Sequence, residues 1–147
     1  MELTYILNNN KNMNIKMKHL FLLLGFLLAA FTAQATIITQ KGVKPDDGAG
    51  LYYNLYDDGT AEIVRNPDFS SFYSFESLAI PATVTYNGVT YNVTTIGNYA
   101  FEYSTIKSIS GGGSITKIGG DVFDKSSLTS INHDGKVTSI GRGAFYK

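Results

Sequence analysis

Residues able to do chemistry are sparse in this chain of 147 residues, and their spacing argues against catalysis. Nucleophilic, redox or histidine-metal sites need a Cys, a paired base or clustered ligands. There is no cysteine, and beyond His19 the sole histidine is His133, set in Asn132-His133-Asp134-Gly135. Asn, Asp and Gly supply turn chemistry by themselves, so His133 reads as a turn residue. Asp46-Asp47-Gly48 and Asp57-Asp58-Gly59 pair carboxylates. Neither continues with the alternating oxygen ligands and closing Glu of a calcium loop, so both also read as turns. Gly111-Gly112-Gly113 lacks the Lys and the strand-to-helix setting of a phosphate cradle. A glycan hydrolase would need two facing carboxylates roughly 5 to 10 Å apart. Asp121 and Asp124 are the candidates, and neither recurs with the repeat that surrounds them. The reading is therefore no enzyme, no cofactor and no metal site. What remains is a cluster of rings, Tyr52, Tyr53, Tyr56, Phe69, Phe72, Tyr73 and Phe75, suited to stacking on sugars or anchoring a protein. Alternation along 51–56 puts Leu51, Tyr53 and Leu55 on one face, leaving Tyr52, Asn54 and Tyr56 on the other.

The elements that must carry these residues are set by a repeat. VTTIGNYAF at 93–101 returns as VTSIGRGAF at 137–145, and a shift of 22 residues aligns the intervening copy without a gap. Val93, Ile115 and Val137 superpose, as do Ile96, Ile118 and Ile140, then Gly97, Gly119 and Gly141, then Phe101, Phe123 and Phe145. Ile106 and Ile109 fall on Leu128 and Ile131. A strict period of about 20 to 50 residues marks a solenoid, whose units bury their apolar sides only by stacking. Within a unit, Val-x-x-Ile-Gly and Ile/Leu-x-x-Ile are short β-branched segments that read as strands. Between them the Ala-Phe step has room for one short helical turn with Phe pointing inward, and the Gly after each Ile is placed to take a positive φ. The expected fold is a β-rich solenoid of coils 22 residues long. Its core is Val93, Ile96, Phe101, Ile106, Ile109, Ile115, Ile118, Phe123, Leu128, Ile131, Val137, Ile140 and Phe145.

These residues carry a resemblance. Ile-Gly-x-x-Ala-Phe followed by Ser-x-Leu/Ile-x-Ser-Ile resembles the leucine-rich repeat of the BspA-like, or treponemal-type, family over about 77–147, with Leu78-Ala79-Ile80-Pro81 as a first strand. Departures are Ser104 and Ser126, where the family often has cysteine, and Ser110-Gly111-Gly112-Gly113 and Asn132-His133-Asp134-Gly135 in place of the Ile-Pro step. The resemblance implies leucine-rich-repeat-like coils in a secreted or surface protein of Bacteroides-type anaerobes. It also implies adhesion to host proteins, glycans or other bacteria.

The N-terminus agrees with export. Met17-Lys18-His19, an apolar run over 20–31 and Ala33-Gln34-Ala35 form the basic, hydrophobic and small-x-small parts of a signal peptide cleaved before Thr36. Translation is then expected to start at Met17, with residues 1–16 an upstream extension. The apolar run is too short for a membrane span, which takes about 20 residues, so no stable span is expected after cleavage. Residues 36–147 carry nine basic and eleven acidic side chains, which gives no reason to expect nucleic acid as a partner. Residues 36–76 read as an N-terminal β-hairpin cap, with strands at 51–56 and 60–64 around Asp57-Asp58-Gly59. A second hairpin turns at Asn87-Gly88 between 83–86 and 89–93. Rungs are expected near 77–92, 93–114 and 115–136, then an incomplete one at 137–147. The chain thus reads as an N-terminal fragment whose last rung exposes Ile140, Ala144 and Phe145 and an edge open to self-association.

The function expected is a non-enzymatic binding or adhesion module, extracellular, at the cell surface or in the periplasm, with a protein or glycan ligand. Candidate contacts are Tyr52 and Tyr56 and, outward on the Ile-x-x-Ile strands, Lys107, Ser110, Thr129 and Asn132. The alternative is a structural spacer carrying another domain beyond residue 147.

Overall fold

The computed structural model describes residues 36–46, 49–69, 72–132 and 136–146, which belong to one compact unit beginning at Thr36. The signal segment with Ala33 and Ala35, His133 with its turn, and Lys147 lie outside the described residues. The described residues form ten strands: β1 (Ile38–Val43), β2 (Tyr52–Tyr56), β3 (Thr60–Val64), β4 (Ser77–Ile80), β5 (Thr83–Tyr86), β6 (Val89–Ile96), β7 (Ser108–Gly111), β8 (Lys117–Ile118), β9 (Ser130–Ile131) and β10 (Ser139–Ile140).

Two parallel ladders organise them. The first runs β3-β6-β8-β10 and aligns Ile63, Ile96, Ile118 and Ile140. The second runs β4-β7-β9 and aligns Leu78, Ile109 and Ile131. Because β3 is the first strand of its ladder, the rung geometry reaches back into the segment read as a cap. Antiparallel β1 and β2 extend that ladder beyond β3, and β5 pairs back on the first half of β6. Strand β1, which sequence reading did not anticipate, pairs along the free edge of β2. Its Gly42 N–H donates to Asn54 Oδ1 at 3.0 Å, so Asn54 is buried rather than turned to solvent as alternation suggested.

The segment carrying Ala-Phe is not a helical turn; the described residues contain no helix. Single turns do form, such as Ala100 N–H to the Gly97 carbonyl and Ser104 N–H to the Phe101 carbonyl. They cannot extend into a helix because Tyr99 and Tyr103 sit at φ 59° and 55°, as Asp121 and Lys125 do at 50° and 51° one rung on. A helix needs consecutive right-handed residues. The alternate N–H groups go elsewhere: Tyr99, Phe101 and Tyr103 donate to the carbonyls of Gly120, Val122 and Asp124 at 2.9–3.1 Å. Asp121 and Phe123 donate in the same way to Arg142 and Ala144. The turns thus make a third hydrogen-bonded side between rungs, which is why buried backbone there is satisfied.

The glycine after each Ile serves a different purpose from the one expected. Gly97, Gly119 and Gly141 are absent from the positive-φ positions. A Cβ on Gly119 would lie 2.5 Å from Asn98 Oδ1 and 2.7 Å from the Asn98 nitrogen, and one on Gly141 would lie 2.5 Å from the Gly119 carbonyl carbon. Here glycine permits close stacking of backbones, not a reversal of the chain.

Inside, Val93, Ile96, Phe101, Ile106, Ile109, Ile115, Ile118, Phe123 and Leu128 are buried, and Val137 is partly so. Phe101, Phe123 and Phe145 stack with centroids 5.6 and 5.3 Å apart, and Tyr73 caps the column 5.4 Å from Phe101. Ile131, on β9 at the end of its ladder, is exposed and departs from its expected core role. Ile140 and Phe145, also among the residues read as core, are exposed as expected of the last rung, Ile140 at 58%. Ala144 is buried, contrary to expectation, on a turn held by its own N–H to the Gly141 carbonyl and by its carbonyl, which accepts from the Phe123 N–H.

Candidate ligand-binding surfaces

The outward strand positions offer little to grip. Ser110, Thr129 and Asn132 are exposed and small, and Thr129 Oγ1 donates to the Lys107 carbonyl across the rung at 2.9 Å. Lys107 is already paired, with its Nζ 2.8 Å from Glu76 Oε1. Thr116 and Thr138 likewise bond to the carbonyls of Thr94 and Thr116. These side chains tie rungs together as much as they face solvent.

The large rings gather around the turn side and the N-terminal strands. Phe69, at 69% exposure, stands out with Phe72, Tyr99 and Tyr103, all exposed. Phe69 and Tyr99 both occupy left-handed backbone, at φ 51° and 59°, which is unfavourable for a bulky residue. The Arg65 guanidinium lies 5.4 and 5.7 Å from their ring centroids and pairs with Glu102. Together with Lys41 and Asn98 they line a cleft of about 380 Å³. On the neighbouring turn, Lys125 Nζ receives nothing but gives a hydrogen bond to the Tyr103 hydroxyl at 2.8 Å, and this contact holds its pKa above the ordinary value.

Of the two tyrosines expected as contacts, Tyr52 is half-buried with Lys44 Nζ 5.5 Å from its ring, and its N–H donates to the Tyr73 hydroxyl at 2.9 Å. Tyr73 in turn donates to the Val64 carbonyl at 2.8 Å, and burial pushes its pKa up. Tyr56 is half-buried as well. Its hydroxyl donates to Glu62 Oε2 at 2.7 Å, and partial burial, reinforced by Glu62, pushes its pKa up to about 12. Its ring lines a second cleft, of about 290 Å³, with Tyr86 and Tyr91. Sequence reading found the hairpin that bears Tyr86 and Tyr91 but not its place beside Tyr56. That placement depends on β3 pairing with β6 across the inserted strands, a non-local contact that no local pattern reports.

No group of three or more His, Cys, Asp and Glu side chains able to hold a metal forms among the described residues. Asp121 and Asp124 lie on the turn ladder, the first at a left-handed position that Asp tolerates, the second 3.7 Å from Lys125.

Residues 62–147 match the family described as BspA type leucine rich repeat region, in six copies. The chain belongs to this family. Among solved structures, a leucine-rich repeat protein from Bacteroides capillosus is similar at 30% identity with a TM-score of 0.57, over 76% of this chain and 75% of that one. A leucine rich cell surface protein from Faecalibacterium prausnitzii is similar at 25% identity with a TM-score of 0.56. That match covers 73% of this chain and 28% of the longer protein. No curated protein matches the chain. In this BspA-type repeat protein the matched residues include strands β4 to β10 and Phe101, Phe123 and Phe145.

Proposed function

We propose that this BspA-type repeat protein is an exported, non-enzymatic binding module, folded as a solenoid and displayed at the cell surface or released, that adheres to protein or glycan ligands. The observation that carries this reading is the exposure of Phe69, Phe72, Tyr99 and Tyr103, three of them at strained backbone positions. Rings left this open to water gain less from burial than core rings do, and aromatic residues dominate recognition surfaces. Export is supported by the signal-like segment before Thr36 and by a compact unit that begins at that residue. The cell surface protein from Faecalibacterium prausnitzii, similar over 73% of this chain, gives the same direction.

The test is adhesion by the folded chain to a panel of extracellular matrix proteins, mucin glycans and intact bacterial cells. Saturable binding to at least one, weakened by Phe69→Ala or Phe72→Ala, is expected. Absence of binding across the panel would sink the reading and favour the spacer role, for which the small outward residues Ala79, Ser110 and Thr129 speak.

A further inference from the structure

Residues 83–92 interrupt the repeat. They form β5 and the first half of β6, and they separate Ile63 from its ladder partner Ile96 by more than the usual 22 residues. To the fully buried core they contribute Val84 alone. An insertion that adds so little core is retained for the surface it builds, and in repeat proteins such insertions gather on the binding face.

The surface in question is the cleft of about 290 Å³ between this hairpin, β1 and the turn after β2. Three half-buried rings wall it: Tyr56 from β2, and Tyr86 and Tyr91 from the inserted hairpin. Gln40, Asp57 and Asn87 lie among them, and no lysine or arginine lines it.

We propose that this cleft binds an uncharged pyranose sugar, as the end or a short run of a glycan chain. The proposal rests on the binding-module reading above and names the ligand class of one site within it. The C–H faces of a pyranose are apolar and stack on aromatic rings, while its hydroxyls both donate and accept. Amide and carboxylate side chains meet that demand, since Asn and Gln offer both donors and acceptors and Asp accepts only. The cleft's size is that of a small-ligand site, whereas a protein partner would cover about 800 Å² of surface on each side. With Asp57 present and no cation, a sialylated or uronate ring would meet repulsion uncompensated. The walls are also held before any ligand arrives: Tyr56 by its bond to Glu62, and the hairpin by buried Val84 and the Thr85–Thr90 hydroxyl contact at 3.1 Å. Such preorganisation lowers the entropy lost on binding.

The experiment is calorimetric titration of the folded chain with neutral hexose and N-acetylhexosamine oligosaccharides. Sialylated and uronate oligosaccharides and extracellular matrix proteins are titrated in parallel. At least one neutral sugar should bind, with little salt dependence, and Tyr86→Ala or Tyr91→Ala should weaken it by about tenfold or more. Lys117→Ala, at an exposed position of β8 that does not line the cleft, should leave it unchanged. Should a tyrosine variant unfold, Gln40→Ala on the edge strand supplies the same test by removing hydrogen bonds without touching the core. Neutral-sugar binding that survives these changes in folded variants, or binding of charged sugars alone, overturns the site. Binding of proteins with no sugar overturns it while leaving the module reading intact; binding of nothing overturns both.

Discussion

Tyr73 and Tyr56 show how single side chains govern the N-terminal strands. Tyr73 is buried, donates to the Val64 carbonyl and accepts from the Tyr52 N–H, so one hydroxyl ties β2 and β3 to the first rung. Both tyrosines hold their protons more tightly in the fold than in the unfolded chain, Tyr56 up to about 12 and Tyr73 in the same direction. The unfolded tyrosine ionises near pH 10, so above it the unfolded state binds fewer protons and stability falls as pH rises. Urea midpoints should therefore hold steady up to about pH 9.5 and drop steeply through the window from 10 to 12. A flat profile across it would mean that these hydroxyls are not held as described. Tyr73→Phe should shrink the alkaline drop and, at neutral pH, cost about 1 to 3 kcal/mol by leaving the Tyr52 N–H without its acceptor. None of this was legible beforehand. The sequence places Tyr73 in an aromatic-rich linker, and nothing local reveals that its hydroxyl reaches two strands over 20 residues and 9 residues away in the chain.

At the scale of the element, the 22-residue unit was readable because its apolar spacing survives in every copy. Ile96, Ile118, Phe101 and Phe123 lie inside for the reason the pattern implied: each faces its own copy one rung away. The errors were conformational. A stretch holding Ala-Phe is long enough for a helical turn, but the left-handed residues Tyr99, Tyr103 and Lys125 are of types that do not advertise positive φ, and Asp121, of a type that tolerates it, stands alone among them. Glycine, which does advertise it, is used at Gly97, Gly119 and Gly141 for close approach. This distinction predicts an order of damage. Gly119→Ala must push a Cβ against the Asn98 backbone at 2.7 Å and should cost about 1 to 3 kcal/mol. Gly88→Ala, at φ +79° with open space around it, should cost only about 1 kcal/mol of backbone strain. Thermal melts of the two variants should rank Gly119→Ala as the more damaging. The reverse ranking would return these glycines to the role of chain-turning residues.

For the molecule as a whole, stability is shared along the phenylalanine column and the ladders that flank it. Phe123 is sandwiched between Phe101 and Phe145, so Phe123→Ala should remove about 3 to 5 kcal/mol in urea denaturation. Phe145→Ala, whose ring is half in solvent, should remove much less. Equal losses would show that burial does not decrease along the column as described. The signal-like segment and the turn around His133 lie outside the described residues and were readable only as sequence. The inserted hairpin at 83–92 has a consequence of another kind. Rungs of nearly identical composition suffer translational degeneracy: a strand displaced by one full unit would still match Ile to Ile, Phe to Phe and Gly to Gly. Among the described residues, β5 pairs back on β6 at a single place in the array, so this pairing gives a folding chain a landmark from which the register of β8 and β10 can be counted.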